Sequence, residues 1–361
     1  MKTFHGKYKE LSKNFLGAII DSQEGIFTLK DVIGNLLYIG IQEENVDFVI
    51  QQNNIGFNIG DVVQINTNGH GIVLFDKSSN DNALYITDKC NNACIMCPQP
   101  LNKKKESYLE SNLGIISLFL ESPEVIGITG GEPTEEWDEL IKILNLLTLK
   151  HPNTIVQLLT NGRIFSDIDK VEEIVNSNKN ILFCIPLYSE LPDLHDSIVS
   201  SPGAFYETIN GLYNLAKFKQ PIELRTVIMK QNYSRLPEWS DWVCMNLPFL
   251  SHVAIMGLEL TNNALKNNES IWIDPIDYGK ELFKSIQIFR RHDLPSFIYN
   301  HQLCTVDPRI WNNCSRTISD FKVIYLEECQ FCSLKEQCGG LFNSAKRKHS
   351  IGIKAVKEKQ W

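Results

Sequence analysis

Ala83-Leu-Tyr-Ile-Thr87-Asp-Lys-Cys90-Asn-Asn-Ala-Cys94-Ile-Met-Cys97 places a short apolar run directly before three cysteines spaced by three and two residues. The apolar run reads as a strand and the cysteines as the loop that leaves it. A [4Fe–4S] cube is small enough for one such loop to wrap three of its corners. Three thiolates leave one iron open, and an open position marks a catalytic rather than a structural site. The competing readings are half of a zinc site or a set of buried thiols. Zinc sites normally show two paired knuckles and a fourth ligand, and buried thiols do not gather at a strand end.

Working outward, apolar strands alternate with helical patterns. The strands expected are Leu84–Thr87, Val125–Thr129, Ile155–Thr160, Ile181–Leu187, Ile222–Met229 and His252–Leu258. Between them, apolar residues recur at three- and four-residue spacing, as in Trp137, Leu140, Ile141, Leu144 and Leu147, or Phe205, Ile209, Leu212 and Leu215. Repeated βα units require parallel strands with right-handed crossovers. Six units are too few to close an eight-stranded barrel, so the expected fold is α/β, an open (βα)6 partial TIM barrel. Its sites should gather at the C-terminal ends of the strands.

Three segments follow from this pattern: a small β-rich module at 1–82, the (βα)6 core at 83–262, and a helical and cysteine-rich extension at 263–361. The first has no cysteine, and its apolar stretches Leu36–Ile41, Val46–Ile50, Val62–Ile65 and Ile72–Phe75 are separated by Gly, Asn and Asp. A small sheet or barrel fits it. The polar run Lys77-Ser-Ser-Asn-Asp-Asn82 reads as a linker. A helix is expected over Ile276–Arg291.

The net charge of −8 argues against general nucleic-acid binding, which needs a basic face. The dense basic runs Lys103-Lys104-Lys105 and Lys346-Arg347-Lys348 read as solvated faces. The first residues lack the apolar core of a signal peptide, and no apolar run approaches the ~20 residues of a membrane span. A cytoplasmic protein without a membrane partner is expected, one whose ten cysteines stay reduced. Clustered thiols there point to metal.

At Cys90, Cys94 and Cys97 the sequence resembles the radical S-adenosylmethionine (SAM) superfamily, whose signature is C-x3-C-x2-C after the first strand. Gly130-Gly131-Glu132-Pro133 follows the second strand, where the family's GGE motif binds the methionine amino group of SAM. Glycines admit a close backbone approach and a carboxylate suits an ammonium. The resemblance implies a [4Fe–4S] cluster on the three cysteines and SAM at the open iron. An electron from a flavodoxin or ferredoxin then releases a 5′-deoxyadenosyl radical that abstracts hydrogen from the substrate. It also implies adenine contacts from Met96 and from the Met256-Gly257-Leu258 backbone, and polar contacts to SAM from Asn161, Ser189 and Arg225. Met96 stands where the family often has an aromatic residue. Asn161-Gly is also a turn signal, and an Arg in a strand can be a plain salt-bridge partner.

Cys329-Gln-Phe-Cys332-Ser-Leu-Lys-Glu-Gln-Cys338 repeats a metal-binding pattern. It resembles the auxiliary-cluster segments called SPASM or twitch, which implies an auxiliary iron–sulfur cluster. Cys304 and Cys314 compete as the fourth ligand, with Cys304 favoured; zinc would satisfy the same ligands. His301 reads as a structural hydrogen-bonding residue, and Cys184 and Cys244 as core thiols. Cys97-Pro98-Gln99-Pro100, Gly127 to Thr134, His195-Asp196, Gly203-Ala204-Phe205, Tyr299 to Cys304 and Ile318-Ser319-Asp320 together are similar to the radical SAM maturases of His-Xaa-Ser repeat systems (HxsC-like). That likeness implies a ribosomally made precursor peptide as substrate and a second radical SAM maturase as partner. The alternatives are a radical SAM enzyme acting on a small molecule in cofactor biosynthesis, and a non-catalytic zinc or iron–sulfur scaffold.

Overall fold

A computed structural model of the chain describes residues 2–9, 14–52, 56–99 and 107–357. The Lys103-Lys104-Lys105 run and Pro100 lie outside the described residues. Contacts group the chain into two compact units. One is Met1–Thr87, Lys105–Leu158 and Ile174–Ile181; the other is Asp88–Lys104, Leu159–Glu173 and Leu182–Trp361.

The first unit opens with seven strands: β1 (Thr3–Tyr8), β2 (Phe15–Gln23), β3 (Ile26–Lys30), β4 (Leu36–Gly40), β5 (Phe48–Ile50), β6 (Val62–Ile65) and β7 (His70–Phe75). They form a closed barrel in the order β1-β5-β4-β3-β2-β6-β7, with β1 and β7 pairing to complete the ring. Only β4 and β5 run parallel. Closure removes the exposed sheet edges that an open sheet of this size would present. Phe4, Phe15, Ile19, Leu29, Ile39 and Phe48 fill the interior. Gly71 faces the Phe4 ring, where a Cβ would come within 2.1 Å of it, so only glycine fits. The Lys77–Asn82 stretch is a tied turn rather than a loose linker. The Asn82 side chain accepts from the Asp76 N–H at 2.9 Å and donates to the Asp76 and Ser79 carbonyls. Its Asn and Ser side chains find backbone partners, as such residues do in turns.

Strands β8 (Ala83–Tyr85), β9 (Val125–Thr129) and β10 (Ile155–Leu159) follow, with helices α1 (Leu109–Ser117) and α2 (Trp137–Lys150) between them. Helix α2 buries Leu140, Ile143, Leu144 and Leu147, one stripe at helical spacing. Helix α3 (Ile168–Ser177) and strand β11 (Ile181–Pro186) come next in the chain.

The second unit carries α4 (Pro192–Val199), α5 (Ala204–Lys217), β12 (Ile222–Val227), α6 (Leu236–Asn246), β13 (His252–Met256), α7 (Asn262–Lys266), α8 (Asn268–Ile271) and α9 (Gly279–Arg291). It continues with β14 (Ser296–Tyr299) and β15 (Cys314–Ser315), then the small pair β16 (Val323–Ile324) and β17 (Leu341–Phe342). Among the described residues eight strands pair in parallel, β8 with β9 and β9 with β10 in the first unit, and β11 through β15 in sequence order in the second. Six of them are the strands expected from sequence. The other two extend the sheet past the expected six; at four and two residues they are too short for a periodic signal.

Residues two apart on a strand share a face. Parallel register therefore sets Cys184, Glu223 and His252 in one row, Pro186, Arg225 and Ala254 in the next, and Val227 and Met256 in the third. The first two rows hold a charged cluster. Both oxygens of Glu223 are engaged, one by the Arg225 guanidinium and the other by His252 Nε2 at 2.6 Å. Burial pushes the Glu223 carboxyl up, but the His252 hydrogen bond and the Arg225 charge outweigh it and hold the carboxyl below its usual range. Burial drives the neighbouring Cys184 thiol up to about 12, so it stays protonated.

Two histidines are buried neutral. His301 lies against Tyr299 and Tyr278: Nδ1 donates to the Tyr299 carbonyl at 2.8 Å, and Nε2 meets the Tyr278 hydroxyl at 2.9 Å. His195 Nδ1 accepts from the Tyr188 N–H at 3.2 Å. Burial depresses each to about 4.

Two expectations about stability follow. Glu223→Ala strands Arg225 in the sheet interior without its carboxylate and lowers unfolding free energy by about 3 kcal/mol, read by urea denaturation; an unchanged midpoint would refute the cluster's role. The unfolded chain binds protons at its histidines near pH 6.5 and the folded one only near 4. Each histidine therefore contributes stability that is full above about 6.5 and lost as pH falls towards 4, up to about 3 kcal/mol. His301→Gln, which can retain both hydrogen bonds without titrating, should flatten the pH dependence of unfolding over that window.

Candidate functional site

The cysteine loop belongs to the second unit and has no regular structure of its own. It turns on the Asn92 N–H, which meets Cys90 Sγ at 3.4 Å, and on the Cys97 N–H, which donates to the Cys94 carbonyl at 3.2 Å. Neighbours satisfy the rest. Arg163 donates to the Asn91 carbonyl at 2.9 Å, to Asn92 Oδ1 at 2.6 Å and to Ser201 Oγ at 2.9 Å, and its Nε pairs with Glu207 at 2.5 Å. Asn161 Nδ2 reaches Asn91 Oδ1 at 2.6 Å. From the far side, Asn263 donates to the Cys94 carbonyl at 3.2 Å and Asn267 to the Ile95 carbonyl at 2.8 Å, while Asn262 bonds the Pro98 carbonyl. The Ala93 and Ile95 N–H groups close onto the Val199 and Ile198 carbonyls at 3.0 Å.

Behind the loop lies an apolar cavity of about 200 Å³, lined by Cys94, Met96, Cys97, Tyr188, Val227, Met256, Gly257 and Leu258 among others. It sits at the C-terminal ends of β12 and β13. Met96 is buried and packs with Ile198, Met229 and Leu260. The Tyr188 phenol lies in the field of Cys90, Cys94 and Cys97, and burial raises it well above its ordinary range. Burial likewise raises the Cys97 thiol. Cys94 and Cys97 thus line one apolar, tyrosine-backed space, with Cys90 near enough to act on the same phenol, and a set of three soft donors suits an iron–sulfur cluster with one iron open.

Gly130, Gly131, Glu132 and Pro133 belong to the first unit, at the C-terminal end of β9. Gly130 presses on Thr87, where a Cβ would come within 2.7 Å of the carbonyl oxygen, and the Gly131 N–H donates to that oxygen at 2.6 Å. These contacts alone require glycine at 130. Glu132 is buried and caps the turn that starts at Pro133, accepting from the Thr134 N–H at 3.1 Å and hydroxyl at 2.8 Å.

The remaining predicted residues fall in distinct settings. Asn161 hydrogen-bonds the cysteine loop, Met256 and Gly257 line its cavity, and Arg225 belongs to the charged cluster. Ser189 is buried and engaged locally, its Oγ accepting from the Leu191 N–H at 3.0 Å and donating to Glu190. His195 and Asp196 have packing roles; Asp196 accepts from the Gly203 and Phe205 N–H groups at 2.6 and 2.8 Å and caps α5. Sequence reading missed Arg163, Tyr188 and the asparagines of α7 and α8. The signal was present in the asparagine-rich Asn262-Asn263 and Asn267-Asn268, whose amides suit loop carbonyls.

A second thiol group lies in the extension. Cys304, Cys329, Cys332 and Cys338 line one common space with Leu334, Ile353 and Val356. Burial raises the Cys304 and Cys329 thiols, and the other thiols of the group push the same way. Cys314 does not line that space, although it lies in the field of Cys338; burial takes it to about 12. Among the described residues, no three His, Cys, Asp or Glu side chains converge closely enough to hold a single metal ion. Nor does any described helix have the length and apolarity to cross a membrane.

Residues 84–243 match the model of the Radical SAM superfamily. Streptococcus suis SuiB bound to S-adenosylmethionine is similar in fold, with a TM-score of 0.54 at 14% identity over 80% of this chain and 78% of that one. SuiB bound to precursor peptide SuiA gives a TM-score of 0.48 at 15% identity, over 63% of this chain and 49% of that one. MJ0907, an uncharacterized protein of Methanocaldococcus jannaschii, is 23% identical over 167 residues, covering 44% of this chain and 57% of that relative's length. With the cysteine loop, the Gly-Gly-Glu turn and strands β9 to β12 all inside the matched stretch, residues 84–243 are a radical SAM superfamily domain.

Proposed function

We propose that the chain is a radical SAM enzyme that modifies a ribosomally made precursor peptide, in the manner of the His-Xaa-Ser system maturases. The observation that carries the enzyme reading is the Cys90-Cys94-Cys97 loop, whose Cys94 and Cys97 line an apolar cavity at the strand ends while all three thiols act on the Tyr188 phenol that backs it. These residues would hold a [4Fe–4S] cluster, with SAM completing the open iron. Bound there, the two groups would supply electron-triggered hydrogen-abstraction chemistry.

The chain's own residues do the rest. Arg163 and the asparagines hold the loop so that its thiols keep their positions. Met96, Tyr188, Val227 and Met256 exclude water, which protects a radical from quenching. Glu132, a buried carboxylate, suits the methionine ammonium, and the backbone at Met256-Gly257 suits the adenine. Cys304, Cys329, Cys332 and Cys338 are assigned to an auxiliary iron–sulfur cluster because all four line one space. The peptide substrate is supported by the fold likeness to SuiB and by the phrases shared with the maturase family. A second maturase and a flavodoxin or ferredoxin donor complete the reading, with the module at 1–82, the core at 83–262 and the extension at 263–361 as its parts.

Anaerobic reconstitution followed by dithionite and SAM should yield 5′-deoxyadenosine, and Cys94→Ala should abolish it. Turnover by that variant would sink the enzyme reading. About eight iron atoms per chain are expected for two [4Fe–4S] clusters, against about four plus zinc for a zinc-loaded extension. Co-expression with the peptides encoded beside the gene should produce a mass shift that Cys94→Ala lacks. Arg163→Ala should leave the fold intact but release iron about tenfold faster to a chelator, because four hydrogen bonds to the loop and its neighbours disappear. Parental release kinetics would remove Arg163 from the site.

A further inference from the structure

The segment Ile353-Lys354-Ala355-Val356 crosses the four-cysteine space. The Val356 N–H donates to Cys332 Sγ at 3.4 Å, and the Val356 carbonyl accepts from the Ser333 N–H at 2.9 Å. The Lys354 backbone hydrogen-bonds the Cys304 thiol. One backbone donor of this short segment thus meets a sulfur directly, and the Lys354 backbone acts to lower the Cys304 thiol against the rise from burial. Ile353, Lys354 and Val356 line the space itself. On the other side, Lys354, Ala355, Val356 and Lys357 border a separate cavity of about 380 Å³ with Trp311 and Pro308. Cys304 borders both spaces, and the segment separates Cys329, Cys332 and Cys338 from the outer cavity.

We infer that Ile353–Val356 is a strap that tunes and seals the auxiliary centre, its amides stabilising negative charge on the ligating sulfurs and its apolar side chains keeping water out. This rests on the reading of Cys304, Cys329, Cys332 and Cys338 as cluster ligands. Donors to a cluster's sulfurs favour the reduced, more negative state, so the strap raises the reduction potential.

The test uses full-length protein carrying Cys90→Ala, Cys94→Ala and Cys97→Ala, so that only the C-terminal centre loads. Val356→Pro removes the donor to Cys332, whereas Val356→Ala keeps it. In dithionite titrations followed by electron paramagnetic resonance, Val356→Pro should shift the reduction equilibrium about tenfold towards the oxidised form, about 59 mV for one electron. Val356→Ala should match its parent. A chain ending at Gly352 should release iron to a chelator about tenfold faster. If Val356→Pro fails to load while Val356→Ala loads, the requirement for the N–H stands. Parental potential in Val356→Pro together with parental iron release from the shortened chain overturns the strap. Absence of iron from the triple-alanine parent overturns the auxiliary-centre reading, and the strap's role with it.

Discussion

A loop that presents three thiols to one bound group cannot also fold into a helix or strand, so its backbone polar groups must be satisfied from outside. That constraint organises the second unit. Arg163 and Asn161 come from the turn after β10, Asn262 and Asn263 from the start of α7, and Asn267 from the junction between α7 and α8. The Ile198 and Val199 carbonyls come from the end of α4. Each provider sits at the C-terminal end of a strand or on the helix that follows, where an open α/β sheet gathers its ligands. The cysteine loop is thus held by the same set of strand ends that form the cavity wall.

The charged cluster beneath the cavity answers a different problem. An open sheet whose inner face is not fully filled by apolar side chains needs something to close its lower part. Here Glu223 uses one oxygen to fix Arg225 and the other to fix His252. Such a buried ion pair adds little net stability, because desolvation consumes most of the attraction. Its value lies in direction: both partners are pinned, so the row above them carries only Val227 and Met256 into the cavity.

Much of the sheet was legible, because parallel strands buried on both faces read as continuous apolar runs. Val125–Thr129 and Val62–Ile65 match their strands residue for residue. β1, β2 and β3 carry polar residues on their outer faces, and β14 and β15 are too short to register, so the barrel's full count and the sheet's last two strands were hidden. The cysteines of the site announced themselves by spacing. The residues that hold them did not, since Arg163 and Asn263 reach the loop from 72 and 169 positions away in sequence. Gly130 shows the converse: a glycine read as room for a ligand is already required by the Thr87 carbonyl oxygen.

The extension lends a wall to the cavity. Phe342, which closes β17, lines the same space as Cys94 and Met96. Only Gly339, Gly340 and Leu341 separate it from Cys338. Four steps of extended chain reach at most about 14 Å. Cys338 therefore has a short covalent road to the edge of the cavity that Cys94 and Cys97 line.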